Sequence, residues 1–193
     1  MPADQRFVTE QPGIVTRSVF SFGPHYDPSR VGVGPLVAVD EHVVAPGAGF
    51  AEHAHRGVDI VSVVLAGRLR HEGSGVDMTV GAGDVLVQRT AGGVRHAETN
   101  PSRSEPLRLL QMSLLSQADD PSTYTARLPI DLDDLRLEVR TSSGPIPGTA
   151  FVLVLSGSWT LPDGRLTAGD AAWGIDLEPG GSGELLTWHL RTS

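Results

Sequence analysis

Apolar positions fall in short runs separated by turn-forming residues. Leu36-Val37-Ala38-Val39, Ile60-Val61-Ser62-Val63-Val64-Leu65, Val85-Leu86-Val87 and the stretch from Leu107 to Leu115 are rich in Val, Leu and Ile. Gly, Pro, Asn or Asp clusters bound most of them, at a spacing of about 8–12 residues, which is the rhythm of a β-sandwich or β-barrel. Helical patterning is weak. The best place for a turn of helix is Ser116 to Asp134, where Pro121 and Pro129 limit its length.

The pattern repeats. Val63-Val64-Leu65-Ala66-Gly67 leads to Ala82-Gly83-Asp84 and Val85-Leu86-Val87. Val154-Leu155-Ser156-Gly157 leads likewise to Ala168-Gly169-Asp170 and Ala171-Ala172-Trp173. Each unit reads as strand, Gly turn, strand, then a Gly-Asp turn into the next strand, and two copies predict two related β-barrels. The polar stretch Ser116 to Thr123, with Pro121, has the composition of a boundary. The expected organisation is a first barrel at 1–115, a linker at 116–124 and a second, shortened barrel at 125–193.

Composition narrows the chemistry. With 23 Gly and 14 Pro in 193 residues, a long helical bundle is excluded. The net charge is −8, so no basic surface for direct nucleic-acid binding is expected. Cysteine is absent, which removes disulfides, thiolate metal sites and thiol nucleophiles. All 15 basic residues are Arg, so no lysine is present for Schiff-base chemistry. No apolar stretch approaches the ~18 residues of a membrane span, and the first residues carry no apolar signal segment; a cytoplasmic protein is expected.

Histidines carry the clearest signal. His53-Ala54-His55 and His96-Ala97-Glu98 each place two ligating side chains two residues apart. Residues two apart in a strand point to the same face, so each pair converges on one side of its sheet. With two or three strands between them, the pairs are expected on adjacent strands, three imidazoles and one carboxylate around a point. This set suits Fe(II), Mn(II), Ni(II), Zn(II) or Cu(II), with room on an octahedral ion for substrate or O₂. His71 reads equally well as a hydrogen-bonding neighbour inside the barrel or as a solvent-facing hairpin residue. His42, beside Asp40 and Glu41, reads as a surface residue whose pKa acidic neighbours raise. Phe50, Leu109, Gln111 and Met112 are candidate cavity-lining residues, with core packing as their other fate.

A longer pattern surrounds these pairs. It comprises Phe20-Ser21-Phe22, His25-Tyr26-Asp27-Pro28, Gly32-Val33-Gly34-Pro35-Leu36, Gly49-Phe50, His53-Ala54-His55-Arg56, His71, the run Ala91 to Glu98, and Glu105-Pro106. It resembles the pirin family of the cupin superfamily, including its bacterial quercetin 2,3-dioxygenase-like members, densely from about Phe20 to Leu115 and thinly afterwards. The resemblance implies an all-β bicupin of two cupin-type β-barrels, with one metal, usually iron, in the first. It implies His53, His55, His96 and Glu98 as ligands, Glu98 taking the carboxylate position special to pirins. The second unit holds one histidine, His189, so composition alone excludes a second site of this type. Asp59 stands where the family usually has Glu.

Two functions follow as expectations. One is a mononuclear metal-dependent dioxygenase acting on a flavonol or enediol, with Glu98 as catalytic base and Phe50, His71, Gln111 and Met112 along the substrate pocket. The alternative is a non-catalytic, metal-dependent regulatory module that binds a protein partner. A cupin isomerase or lyase ranks behind both.

Overall fold

The protein is described from a computed structural model, which covers residues 1–116, 118–133 and 135–190. The described chain is almost entirely β; within the stretch Ser116 to Asp134, of which Gln117 and Asp134 lie outside the described residues, Ser122–Ala126 and Ile130–Leu132 are strands where a helical turn was expected. Thr123, Tyr124 and Thr125 favour an extended backbone, and Pro121 and Pro129 block helix continuation. Among the described residues no helix is long and apolar enough to cross a membrane. Contacts divide the chain into two compact units, one of Phe7–Arg127, the other of Met1–Arg6 with the chain from Leu128 onward.

The first unit holds β1 (Phe7–Gln11), β2 (Ile14–Ser18), β3 (Leu36–Val44), β4 (Gly49–His55), β5 (Val58–Ala66) and β6 (Arg68–Gly73). It continues with β7 (Val76–Gly81), β8 (Val85–Arg89), β9 (Val94–Thr99), β10 (Leu107–Leu115) and β11 (Ser122–Ala126). One sheet runs β1-β2-β3-β10-β5-β8-β11 and the other β4-β9-β6-β7. Strand β11, which straddles the stretch read as linker, pairs with β8 and so adds an edge to this unit.

Alternation explains how the two sheets close on a core. On β3, Leu36, Ala38, His42 and Val44 are buried, with Val39 as an added buried position. Ile14, Val44, Val64, Leu69, Val80, Leu86, Leu107 and Leu109 pack into one cluster, with Phe50 and Met78 against it. Strand β5 is buried at six consecutive positions, Asp59 to Val64. It lies between β10 and β8, which explains its continuous apolar run. Within it Asp59 is buried against Arg89, Nε to Oδ2 at 3.0 Å.

The second unit holds β12 (Ile130–Leu132), β13 (Leu135–Arg140), β14 (Ile146–Leu161), β15 (Gly164–Thr167), β16 (Ala171–Leu177) and β17 (Gly180–Leu190). Its sheet runs β12-β13-β17-β14-β15, with β16 also on β14. Ile146, Ala150, Val152, Val154, Trp159 and Leu185 form its core.

Candidate metal centre

The site is built on β4, β9 and β6, three neighbours in the smaller sheet. His53 lies opposite His96 across β4 and β9, and His71 lies opposite Glu98 across β9 and β6. Four strands, β5 to β8, separate the two motifs in sequence, more than the two or three expected. A register shift between Phe50 and His53 inserts one extra residue into β4. Such a bulge changes which face each side chain takes. It lets Phe50 share a face with His53 and His55, and the Phe50 and His53 rings meet edge to face with centroids 6.4 Å apart.

The ligating atoms form two overlapping triads. One nitrogen each from His53, His55 and His96 lie within 4.8 Å of one another, as do ligating atoms of His71, His96 and Glu98. His96 belongs to both. The sequence-predicted ligands are therefore gathered around His96, and His71 joins them as a fifth. The first triad is half-buried at His53 and His55, whereas His71, His96 and Glu98 are almost wholly shielded from solvent.

Burial sets the electrostatics. Desolvation, aided by the neighbouring His53, His55 and His71, lowers the His96 pKa to about 3. Desolvation also lowers His55, with help from His53, and lowers His71. Neutral imidazoles are the ligating form. Glu98 moves the other way: burial raises its pKa, against the hydrogen bond from Gln111 and the proximity of His53. Two buried atoms of the site, His55 Nε2 and Glu98 Oε1, have no hydrogen-bond partner among the described residues. Buried polar atoms are seldom left unsatisfied. Unpartnered imidazole and carboxylate atoms around a shared His96 fit a transition ion of nitrogen and oxygen preference.

The remaining candidates divide. Gln111 donates from Nε2 to Glu98 Oε2 at 2.9 Å and to Ser62 Oγ at 3.0 Å, so it holds the carboxylate. Met112, the next residue along β10, faces the opposite way and is buried without joining the group. His71 is fully buried, which removes the solvent-facing alternative. His42 is also buried. It packs edge to face on Phe50 with centroids 5.0 Å apart, and desolvation lowers its pKa to about 4, the reverse of the expected rise. Asp59 bonds Arg89 and stands outside both triads.

Sequence reasoning missed Ser62 and Gln88. Both are polar residues inside apolar strand runs, Ile60-Val61-Ser62-Val63 and Leu86-Val87-Gln88, and that interruption was the available signal. Beside the site a groove of about 450 Å³ is lined by Ala54, His55, Arg56, Ser74, Gly93, Val94 and Arg95. Arg95 pairs with Glu52 at 2.9 Å, and Arg56 has no ion-pair partner among the described residues.

Two sheets closing over an inward-facing cluster of histidines and a glutamate define a cupin-type barrel. The Pirin family model matches residues 3–114, and the chain belongs to the pirin family. Rv0181c of Mycobacterium tuberculosis, which carries a provisional quercetin 2,3-dioxygenase name, is 34% identical over 169 residues, 86% of this chain and 69% of that one. The Escherichia coli quercetin 2,3-dioxygenase is 35% identical over 99 residues, 51% of this chain and 43% of the relative. The bacterial pirin YhhW from E. coli, solved in complex with nickel(II), superposes with a TM-score of 0.87 at 22% identity. That match covers 100% of this chain and 98% of YhhW and establishes the shared bicupin fold.

Proposed function

We propose that the protein is a mononuclear metal-dependent dioxygenase of the quercetin 2,3-dioxygenase type, acting on a flavonol or related enediol. The observation that carries this reading is the cross-strand pairing of His53 with His96, which gathers three imidazoles beside a buried glutamate. The identity to relatives named for quercetin dioxygenation supports the same reaction class.

His53, His55, His96 and Glu98 are the residues that would hold the ion, Fe(II) first among the candidates and Mn, Ni, Zn or Cu also compatible. A bound ion of this class supplies Lewis acidity and open positions for a substrate oxygen and O₂. The chain supplies the rest. Gln111 fixes Glu98 Oε2, and Oε1, without a hydrogen-bond partner among the described residues, is the oxygen that would meet the ion and, on swinging off it, take the proton of a substrate hydroxyl. The groove beside His55 offers Arg56 to the enolate so formed. Phe50 packs edge to face on His53 and offers an apolar wall on that side.

The test is anaerobic reconstitution of untagged protein with Fe(II), followed by addition of quercetin and O₂. Stoichiometric O₂ uptake with release of carbon monoxide is expected, and its loss in His53→Ala. Metal-loaded protein that consumes no O₂ with any flavonol or enediol removes the proposal.

A further inference from the structure

The β14–β15 hairpin of the second unit and the β6–β7 hairpin of the first follow one register. In the first, Arg68 lies opposite Gly81 and His71 opposite Met78; in the second, Ser158 lies opposite Thr167 and Leu161 opposite Gly164. Gly164 therefore stands where the first unit has Met78. Ala172, two residues past Asp170, stands where Leu86 follows Asp84. Met78 and Leu86 both pack into the first core. Gly and Ala in their places remove two large side chains, and a cavity of about 350 Å³ lies at these residues of the second unit. Cavities that take small ligands run from roughly 300 to 1,000 Å³.

The cavity has an apolar floor and an aromatic side. Leu161, Leu166 and Ala172 line it and pack against the second core. Trp173 adds a flat surface, stacked on Phe151 with centroids 6.4 Å apart and ring planes 17° from parallel. The rim carries two exposed charges of opposite sign, Asp163 and Arg165, neither with an ion-pair partner among the described residues. In the first unit the residue in the place of Asp163 is Asp77, which Arg70 holds with two hydrogen bonds of 3.1 and 3.0 Å. Thr160 replaces Arg70 in the second unit, so Asp163 has no such clamp. Arg165 donates from Nε to Ser158 Oγ at 2.7 Å, which orients the guanidinium and leaves its two Nη groups for a ligand. The other charged groups there are engaged within the protein. Asp170 accepts from the Ala3 and Thr167 N–H groups, each at 2.7 Å, and the Met1 ammonium donates to the Ala171 carbonyl.

A ligand that answers every feature needs a flat apolar body, a cation for Asp163 and an anion for Arg165. A simple acid or a simple amine leaves one rim charge unanswered. Because Asp163 and Arg165 are two residues apart, both ligand charges must sit close together at one end of the body. An aromatic α-amino acid has this layout, with ammonium and carboxylate on one carbon and the ring one carbon further. We propose that the cavity between β15 and β16 binds a free aromatic α-amino acid, its ring against Trp173 and the apolar floor, its carboxylate on Arg165 and its ammonium on Asp163. Ring stacking and a forked guanidinium–carboxylate contact supply the orientation.

The experiment is titration of ¹⁵N-labelled full-length protein with L-phenylalanine, following by NMR the indole N–H signal of Trp173, assigned through Trp173→Phe. Saturable movement with a Kd on the order of 0.1–1 mM is expected, as for a small ligand whose charges stay near solvent. 3-Phenylpropanoate, which lacks the ammonium, and phenethylamine, which lacks the carboxylate, should each bind roughly 3- to 10-fold more weakly. Arg165→Gln and Asp163→Asn should each weaken L-phenylalanine by a similar factor, roughly 3- to 10-fold. Ala172→Leu restores the side chain of the first unit and should abolish binding; if it does not fold, the two exposed charge variants still decide. A Trp173 signal that does not move in wild-type protein overturns the proposal. So does wild-type affinity in either charge variant, equal binding of all three compounds, or undiminished binding by folded Ala172→Leu.

Discussion

The two units share a turn frame and differ in what fills it. In the first, the Val64 N–H donates to the Asp84 carbonyl at 3.1 Å, and the Gly83 N–H returns to the Val64 carbonyl at 2.9 Å. In the second, Val154 donates to Asp170 at 2.9 Å and Gly169 returns to Val154 at 2.8 Å. Three residues past each valine stands a glycine with positive φ, 79° at Gly67 and 80° at Gly157. Counting on from these glycines, Leu69 and His71 in the first unit match Trp159 and Leu161 in the second. Counting on from the aspartates, Gln88 matches Gly174. The frame is thus independent of the chemistry: one copy turns polar ligating groups inward, and the other packs Trp159 among Ile146, Val152, Val154 and Leu185. A barrel of this kind is a scaffold onto which a site is placed residue by residue.

The largest expected effect tests whether the site belongs to one copy only. His96→Ala removes the residue common to both triads and should lower metal affinity by more than ~100-fold, above the cost of losing an outer hydrogen bond. Titration with Fe(II) or Ni(II) under anaerobic conditions measures it. His189→Ala, in the second unit, should leave the stoichiometry at that of wild type. If it changes, the division of labour between the copies is wrong.

Next comes the core packing at the matched positions Leu69 and Trp159. Trp159 is fully buried in the second core, as Leu69 is in the first. Trp159→Ala should cost about 3–5 kcal/mol and Leu69→Ala about 2–5 kcal/mol in urea unfolding, through lost burial and the cavity left behind. Metal affinity should respond to Leu69→Ala, which loosens β6 beside His71, and not to Trp159→Ala. The turn glycines rank third. A Cβ at Gly67 would stand 2.6 Å from the Pro106 carbonyl oxygen, and one at Gly157 would overlap the Ser182 carbonyl. With φ near 80° at both, Gly67→Ala and Gly157→Ala should each destabilise by about 1–3 kcal/mol. Equal losses in the melting curves support equivalence of the turns, and a loss at one alone breaks it.

These equivalences mark how far the sequence could be read. Apolar runs with Gly-Asp turns revealed the β-architecture and its repeat because period-2 burial and positive-φ glycines leave local traces. The H-x-H and H-x-E pairs revealed their convergence for the same reason. What escaped depends on partners distant in sequence. The β4 bulge that gives Phe50 and His53 one face follows from pairing with β9 and has no mark in Gly49 to His55 itself. His42 was misjudged because its sequence neighbours are acidic, whereas its surroundings in space are Thr16 and Phe50. Gln88 was passed over because its meaning comes only from His71, 17 residues away on another sheet.

The smallest effect separates the copies by pH. Buried His42 and half-buried Asp40 lie two residues apart on β3 in the first unit, and desolvation shifts them in opposite directions. His42 falls to about 4, while Asp40 rises to about 6 against a hydrogen bond from Ser18. A histidine whose folded pKa is depressed contributes stability in full above its unfolded value, about 6.5, and loses it as pH falls through 4. A carboxyl whose folded pKa is raised contributes in full below its unfolded value, about 3.9, and loses it as pH rises through 6. Between pH 4 and 6 the two oppose each other, so wild-type stability should vary little there on their account. His42→Phe leaves Asp40 alone and should make the first unit less stable toward pH 6 relative to pH 4. Asp40→Asn leaves His42 alone and should do the reverse. Each difference is on the order of 1–2 kcal/mol after partial solvation of the pair. Urea melts of metal-free protein at pH 4, 5 and 6 decide it. Slopes of the same sign in both variants would mean that these side chains do not hold the first barrel's balance against acid.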